Sequence, residues 1–222
     1  MSGVRLPFAD RREAGRALAE HLAHLQGHED LLVLALPRGG VAVGYEVARA
    51  LHAQLDVFIV RKLGHPAHEE YAMGAIASGG VQVMNAGGGS GVSERELQEV
   101  VARERAELVR RESLYRGTRP PLAIEGRTVI VVDDGLATGA TMRAAVASIR
   151  QLHPHWVVVA VPVGASETCA QLRREADEIV CAAMPYPFRA VGLWYRDFPQ
   201  STDEEVKSLL ARSESEHAQL AH

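Results

Sequence analysis

The sequence predicts an α/β fold in which a parallel, twisted sheet carries helices on both faces. Short apolar runs of strand length alternate along the chain with segments that repeat apolar residues at helical spacing. The run at residues 31–36 reads LLVLAL and the run at 128–132 reads TVIVV, without an alternation of apolar and polar residues. Continuous runs of this kind are typical of strands buried on both faces, and the repeated β-α-β order favours parallel pairing.

Helices and strands are predicted over ten segments. The helices are 11–25, 39–51, 93–115, 141–152 and 167–176, and the strands are 31–36, 56–61, 128–132, 157–163 and 178–183. Asp10 is placed to cap the first helix, and Ser93 and Glu96 match a capping box at the start of the third.

The remaining segments are read from their turn residues. Residues 75–85 contain two strand-like pieces around a Gly-Gly pair and are expected to form a hairpin. Residues 62–74, rich in Gly, Pro and charge, are expected to form a long loop. The pattern assigns no element beyond residue 200.

Composition predicts one globular domain over residues 1–222, with a core at about 28–183. The formal net charge of −4 and the pI near 6.2 give no basis for nucleic-acid binding, which needs clustered positive charge. The N-terminal residues lack the apolar stretch of a signal peptide, and no apolar run is long enough to span a membrane. We therefore expect a cytoplasmic protein without a membrane partner, in which Cys169 and Cys181 are two buried thiols.

The most informative segment is 129–142, VIVVDDGLATGATM, which joins a buried strand to a helix through two acids and a Gly/Thr-rich turn. Ligands of parallel α/β sheets bind at the carboxyl ends of the strands, where this turn must lie. The turn 135–141 and the N-terminus of the following helix predict a cradle for one phosphate. Asp133 and Asp134, too close to that phosphate to bind it, suit ribose hydroxyls or hydrated Mg²⁺.

Alternative interpretations of this segment are weaker. A structural turn needs one Gly, and two acids at the end of a buried strand cost desolvation energy unless a partner offsets it. A Walker A loop is excluded because no lysine lies within 135–141, and the cluster at 87–91 does not match the dinucleotide pattern GxGxxG. The turn after the first strand, Pro37-Arg38-Gly39-Gly40, is a second candidate anion-binding turn.

The motif resembles the signature of type I phosphoribosyltransferases, which binds 5-phosphoribosyl 1-pyrophosphate (PRPP). The wider chain is similar to the bacterial group of predicted phosphoribosyltransferases over LALPRGGVAVGYEVA, DVFIVRKLGHP and EYAMGAIASGG, covering most of residues 10–200. This resemblance implies a small C-terminal hood at about 184–200, packed with the N-terminal helix. It also implies that residues 62–74 form a mobile catalytic loop. No other residue stands out as a general base, and Glu69 and Glu70 in this loop are the candidates.

The resemblance assigns roles to particular residues of a Mg²⁺–PRPP site. Asp133 and Asp134 are the catalytic acids and, through water, the metal ligands. The 5′-phosphate residues are Gly135, Leu136, Ala137, Thr138, Gly139, Ala140 and Thr141; the pyrophosphate residues are Pro37, Arg38, Gly39, Gly40, Arg61 and Lys62. Phe188 and Trp194 are candidates for stacking on the acceptor base.

The implied function is transfer of the phosphoribosyl group to a nitrogen acceptor such as a nucleobase, with release of pyrophosphate. Enzymes for 6-oxopurines carry an acid at the position of Ala137, so that substrate class is disfavoured. The alternative is a PRPP-sensing regulator on the same fold without catalysis. The charged helix 93–115 is expected to be a solvated face or the arm of a homodimer, through residues such as Leu97, Val101 and Leu108.

Overall fold

The computed structural model describes residues 4–28 and 30–220, except for the side chains of Glu69, Glu70 and Leu220. Its centre is a five-stranded parallel sheet with the strand order β2-β1-β6-β7-β8. The strands are β1 (Leu31–Ala35), β2 (Gln54–Val57), β6 (Thr128–Val132), β7 (Trp156–Val163) and β8 (Glu178–Ala183). The predicted fold class is confirmed, and four of the predicted strands lie within one residue of their observed bounds. The strand predicted at 56–61 is β2, which ends at Val57, and residues 60–61 belong to a different strand.

Helices cover both faces of this sheet. Alternate residues of each strand point to opposite faces, and because these residues are apolar on both faces, each face is buried by helices. Val33 packs in one apolar cluster with α1 (Arg11–His21) and α2 (Gly40–Leu51). Its neighbour Leu32 packs in the other with α4 (Ala140–Arg150) and α5 (Ser166–Leu172). The Asp10 side chain caps α1 by accepting from the backbone N–H of Glu13 at 2.8 Å, as predicted.

Residues 62–74 do not form the long loop that the composition predicted. They belong to a second, antiparallel sheet of β3 (Val60–His65), β4 (His68–Ala77) and β5 (Val81–Met84). Only Pro66 lies in the turn between β3 and β4, since Gly64 and Gly74 lie within the strands. Leu63 and Met73 are buried and hold the hairpin against the core. The predicted hairpin at 75–85 is present as the β4–β5 pair.

Two further helices pack beside the small sheet. The helix α3 (Glu94–Arg116) opens with the predicted Ser93 capping box, but its apolar side is buried within the chain itself. Val101 and Leu108 lie in the core cluster, so the expectation that they face a partner subunit was wrong. The helix α6 (Asp203–Leu220), which the sequence pattern did not assign, packs on α2, α3 and β2.

The N-terminal segment and residues 188–198 form a small apolar cluster above β7, in the region of the predicted hood. We call this group of residues the hood cluster. Phe8 pairs with Tyr195 as an isolated parallel bridge. Beneath the sheet edge, α5 and β8 bring Cys169 and Cys181 together with their sulfur atoms in contact, so the two thiols expected from the sequence are neighbours. No helix in residues 4–28 and 30–220 is long and apolar enough to cross a membrane.

Candidate active site

The turns that follow β1 and β6 leave the sheet side by side. Ala35 and Val132 are register partners, and the N–H of Leu36 donates to the carbonyl of Val132 at 2.9 Å. Each of these two segments then leads into a helix, which begins at Gly40 in the first and at Ala140 in the second. The Arg38-Gly39-Gly40 turn and the Asp133-Asp134 pair therefore share one edge of the sheet, at the carboxyl ends of its strands.

The two glycines of the first turn allow this close approach. A Cβ placed on Gly39 would overlap Oδ2 of Asp134, and one placed on Gly40 would lie 2.7 Å from the carbonyl oxygen of Val132. These contacts are with backbone or with a constrained carboxylate, so no side chain fits at either position. The glycines are required for packing against the acids rather than for a positive φ.

The Asp134 carboxylate is held by an arginine from the first helix. Arg11 Nε donates to Asp134 Oδ2 at 2.8 Å, and their side chains are 10% and 16% exposed. Arg11 Nη1 also donates to the carbonyl of Pro199 at 2.7 Å, and its guanidinium lies 3.8 Å from the ring centroid of Phe198. Arg11 therefore links the second acid to the segment that follows the hood cluster.

Asp133 makes no ion pair with any arginine that the structure describes. Its Oδ1 accepts from the backbone N–H of Asp134 at 2.9 Å, which is the one hydrogen bond made by this carboxylate within the described residues. Burial raises the pKa of Asp133 well above its ordinary value, and the neighbouring Asp134 charge raises it further. Burial also raises the pKa of Asp134, although Arg11 opposes that shift. The pair is a site of unbalanced negative charge that a cation or hydroxyl donors would stabilise.

The hood cluster contacts the acids through Tyr195. Its hydroxyl donates to the backbone carbonyl of Asp134 at 2.5 Å, and burial raises the pKa of this phenol. The ring stacks on Phe198 with centroids 4.8 Å apart. Phe188 and Trp194, predicted to stack on the acceptor, are partly buried in the same cluster with their ring centroids 6.2 Å apart.

The 135–141 turn has the features expected of a phosphate cradle. Gly139 has φ 73° at the N-cap of α4 and supplies no side-chain cap, so the first N–H groups of the helix lack a protein side-chain partner there. Thr168 braces the loop by donating to the carbonyl of Ala137 at 2.6 Å. Thr138 and Thr141 are exposed, with their hydroxyls available to a ligand.

The sequence predicted that Arg61 and Lys62 follow the end of a strand of the parallel sheet. This prediction was wrong, because β2 already ends at Val57. The two residues lie in β3, where Lys62 lines a cleft of about 580 Å³ with Thr138 and a cleft of about 530 Å³ with Thr141. The small sheet thus places both cations beside the phosphate turn. Arg61 is already paired, because its Nη2 donates to Glu104 of α3 at 2.6 Å.

Arg38 is likewise near a carboxylate from outside the core. Its Nη1 lies 3.8 Å from Oδ1 of Asp203, the first residue of α6. The Tyr115 hydroxyl donates to the same oxygen at 2.5 Å. Burial and this hydrogen bond raise the pKa of Tyr115 to about 12. The two arginines predicted to meet pyrophosphate therefore each have an acid from α3 or α6 as a neighbour.

The acids suit a magnesium ion that a ligand shares, rather than an all-protein metal cage. No group of three or more His, Cys, Asp or Glu residues able to hold a metal occurs in the part of the chain that the structure describes. Mg²⁺ is commonly bound by one or two carboxylates together with substrate phosphates and water. Asp133, which makes no ion pair in the part of the chain that the structure describes, is the residue best placed to contribute such a carboxylate.

Sequence reasoning missed Arg11, Tyr195 and the two carboxylates Glu104 and Asp203. Arg11 and Asp134 are 123 residues apart, and no local pattern joins them. Tyr195 belongs to no motif that marks it as part of the site. The candidate bases Glu69 and Glu70 have side chains outside the described part of the structure, so their placement is not assigned.

Comparison with known proteins agrees with this geometry. Residues 10–185 match the family described as "Phosphoribosyl transferase domain". Two Mycobacterium tuberculosis proteins named "Putative phosphoribosyl transferase", Rv0571c of strain H37Rv and MT0597 of strain CDC 1551, are 44% identical to the chain over 214 residues, or 96% of its length. The chain spans about half, 48%, of the length of these relatives.

Solved structures give the same result for the fold. The protein TT1426 from Thermus thermophilus is 46% identical and superposes with a TM-score of 0.84, covering 93% of this chain and 99% of that one. A hypothetical protein from Neisseria gonorrhoeae shares the fold at 14% identity, with a TM-score of 0.52 over 96% of this chain and 98% of that one. The family match spans most of the chain and includes both turns of the site. The chain therefore belongs to the phosphoribosyl transferase domain family.

Proposed function

We propose that this chain binds Mg²⁺–PRPP and transfers its phosphoribosyl group to a nitrogen acceptor, with release of pyrophosphate. The observation that carries the proposal is the packing of Gly39 and Gly40 against Asp133 and Asp134. This contact joins an arginine-bearing anion turn to two acids, and the acids lead directly into the phosphate turn. A ligand that carries an anion at each end of a ribose matches this order of groups.

The reaction breaks the bond between C1 of ribose and a pyrophosphate oxygen, while the acceptor nitrogen forms a bond to C1. Positive charge develops at C1 and the ring oxygen, and negative charge develops on pyrophosphate. In this proposal Asp133 and Asp134 accept hydrogen bonds from the ribose hydroxyls and favour the developing cation. In this proposal Arg38 and Lys62 stabilise the leaving group, and Mg²⁺, when bound, neutralises part of its charge.

The 135–141 turn contributes orientation. The N–H groups at the start of α4 and the Thr138 and Thr141 hydroxyls bind the 5′-phosphate, which takes no part in the bond changes. Binding energy from this remote group fixes C1 relative to the acids and the acceptor. The hood cluster, which contacts Asp134 through Tyr195, is the proposed boundary of the acceptor pocket, with Phe188 and Trp194 as stacking candidates.

The test is a turnover assay with PRPP labelled in the ribose, Mg²⁺ and a panel of nitrogen acceptors. Pyrophosphate release that requires an acceptor, together with a labelled acceptor product, supports the transferase. Binding of Mg²⁺–PRPP without release of pyrophosphate for any acceptor supports the alternative, a PRPP-sensing regulator. Absence of PRPP binding contradicts both.

A further inference from the structure

A separate cavity of about 370 Å³ lies at the edge of the parallel sheet where the strands begin, opposite to the candidate active site. Its floor is formed where β1, β2 and β6 begin, with Gln54 as the first residue of β2 and Arg127 immediately before β6. Its walls are the segment 119–123 and the α6 residues Ser213 and His217. A five-residue strand separates this cavity from the acids, a distance of roughly 15 Å.

Three arginines and two acids line the cavity, and four of these charges are paired. Arg116 Nε lies 3.1 Å from Asp56 Oδ1, and Arg119 Nη2 lies 2.7 Å from Glu214 Oε2. The fifth charge belongs to Arg127, which makes no ion pair within the described residues. The lining therefore carries one formal positive charge in excess when histidine is neutral.

Arg127 is held by neutral oxygen atoms. Its Nη1 donates to Gln54 Oε1 at 2.9 Å, and its Nη2 donates to the carbonyl of Leu31 at 2.8 Å. Its Nε donates to no atom of the described residues. Burial lowers the pKa of Arg127, and Asp30 opposes that shift only by a longer-range attraction. A fixed, partly desolvated guanidinium with a spare donor binds an anion more strongly than a solvated one does.

The rest of the lining suits an apolar group. Leu32 and Leu55 are buried beneath the cavity, and Pro120, Pro121 and Leu122 form one side of it. His217 places a buried Nδ1 atom without a hydrogen-bond partner in the described residues at the α6 side. A cavity of this size that combines an apolar wall with fixed polar groups is typical of a small-molecule site.

We propose that this cavity binds a small organic monoanion, with a carboxylate on Arg127 and an apolar body against Leu55 and Leu122. One excess positive charge matches a monoanion. A dianion would add a second negative charge beside Asp56 and Glu214, so it fits less well. The site is remote from the acids, and the proposal does not depend on the reaction proposed above.

Benzoate is a suitable probe, and its binding can be followed by calorimetry and by ligand-observed NMR without PRPP or Mg²⁺. We expect saturable binding with one site per chain. Benzamide, of the same shape but neutral, and phenyl phosphate, a dianion at pH 8, should each bind at least tenfold more weakly. Equal or tighter binding of either compound would overturn the assignment.

Variants locate the bound probe. Arg127→Gln should weaken benzoate binding at least tenfold, whereas Arg105→Gln, an exposed arginine of α3 outside the cavity, should leave it unchanged. Arg38→Gln must also leave it unchanged, because loss in that variant would place benzoate in the candidate active site. If Arg127→Gln does not fold, Ala218→Trp tests the same point, since it fills the cavity from an exposed position of α6. Wild-type affinity in that folded variant contradicts the proposal.

Discussion

Arg11 Nε and Asp134 Oδ2 lie 2.8 Å apart, and this contact ties the first helix to the second acid of the site. The same guanidinium packs over Phe198 and donates to the carbonyl of Pro199, so it also fixes the end of the hood segment. One side chain thus sets the position of Asp134 relative to the hood. Asp133 is left with backbone contacts and is the acid more available to a ligand.

Replacing Arg11 with Gln should destabilise the protein and weaken PRPP binding. The change leaves the Asp134 carboxylate unpaired next to Asp133 and removes a cation from the Phe198 ring. Loss of a partly buried pair of this kind costs about 2 kcal/mol, below the range for fully buried pairs. That cost corresponds to a melting temperature lower by roughly 4–8 °C for a chain of this size.

Differential scanning calorimetry measures this effect, and Arg12→Gln is the matched control because Arg12 is the exposed neighbour on the same helix. The two variants remove the same charge from the same turn. Equal melting temperatures for Arg11→Gln and Arg12→Gln would show that the contact with Asp134 contributes nothing to stability.

Asp133→Asn should raise the stability of the ligand-free protein while lowering turnover by roughly a hundredfold. Burial and Asp134 raise the pKa of Asp133 above its ordinary value near 3.8. Between those two pKa values the folded state holds the proton and the unfolded state releases it, so stability falls as pH rises. Asn has no proton to lose and avoids this penalty.

The difference in melting temperature between Asp133→Asn and wild type should therefore increase from about pH 4 upward, and level off above the raised pKa. Melts are recorded in metal-free buffer, with Asp197→Asn as the control at an exposed acid. A difference that is constant with pH, or that decreases as pH rises, contradicts the direction of the pKa shift.

Glu104→Gln should tighten Mg²⁺–PRPP binding about fivefold. Glu104 forms an ion pair with Arg61, and the proposed pyrophosphate must compete with this pair. If the competing ion pair contributes about 1 kcal/mol, its removal lowers the Kd for Mg²⁺–PRPP about fivefold. Glu99→Gln, which breaks an exposed pair with Arg95 on the same helix, is the control. Unchanged affinity accompanied by a lower melting temperature would assign Glu104 a structural role only.

Gly39→Ala should weaken PRPP binding by roughly ten- to a hundredfold, because a methyl group would overlap the Asp134 carboxylate. The backbone at Gly39 is in the ordinary right-handed region, so the effect is steric. Gly89→Ala is the matched control, since a Cβ at Gly89 meets no atom within 4 Å. Isothermal titration with Mg²⁺–PRPP distinguishes the two, and equal affinities would show that the turn and the acids do not act together.

The parallel sheet and the phosphate turn could be predicted because their signals are local. Continuous apolar runs identify strands buried on both faces, and the DDGLATGAT segment combines charge, glycine and hydroxyls in nine residues. The 62–74 hairpin was mistaken for a loop because its polar residues outnumber the inward-facing Leu63 and Met73. The α6 helix had a readable signal, the apolar spacing of Val206, Leu209 and Leu210, which are buried.

Contacts between distant segments could not be predicted from the sequence. Arg11 is one of several arginines in a charged N-terminal helix, and only the folded chain shows that it reaches Asp134. The same holds for Glu104 and Asp203, which lie in helices with many other acids. Their pairing with Arg61 and Arg38 depends on how α3 and α6 pack against the core, which no pattern of single residues records.

PRPP should stabilise the protein only when Mg²⁺ is present. Pyrophosphate brings more negative charge to the site than Arg38 and Lys62 can offset, since Asp133 and Asp134 are adjacent and Arg61 is held by Glu104. A ligand that binds only the folded state adds about 2.7 kcal/mol of stability at a hundredfold excess over its Kd. For a domain of this size the melting temperature then rises by roughly 5–10 °C. Thermal melts with PRPP, Mg²⁺ and both together measure this, and Asp133→Asn should abolish the dependence on metal. An equal rise with PRPP alone would contradict the requirement for metal. A rise with ATP and none with PRPP would show that the 133–141 segment binds a different ligand.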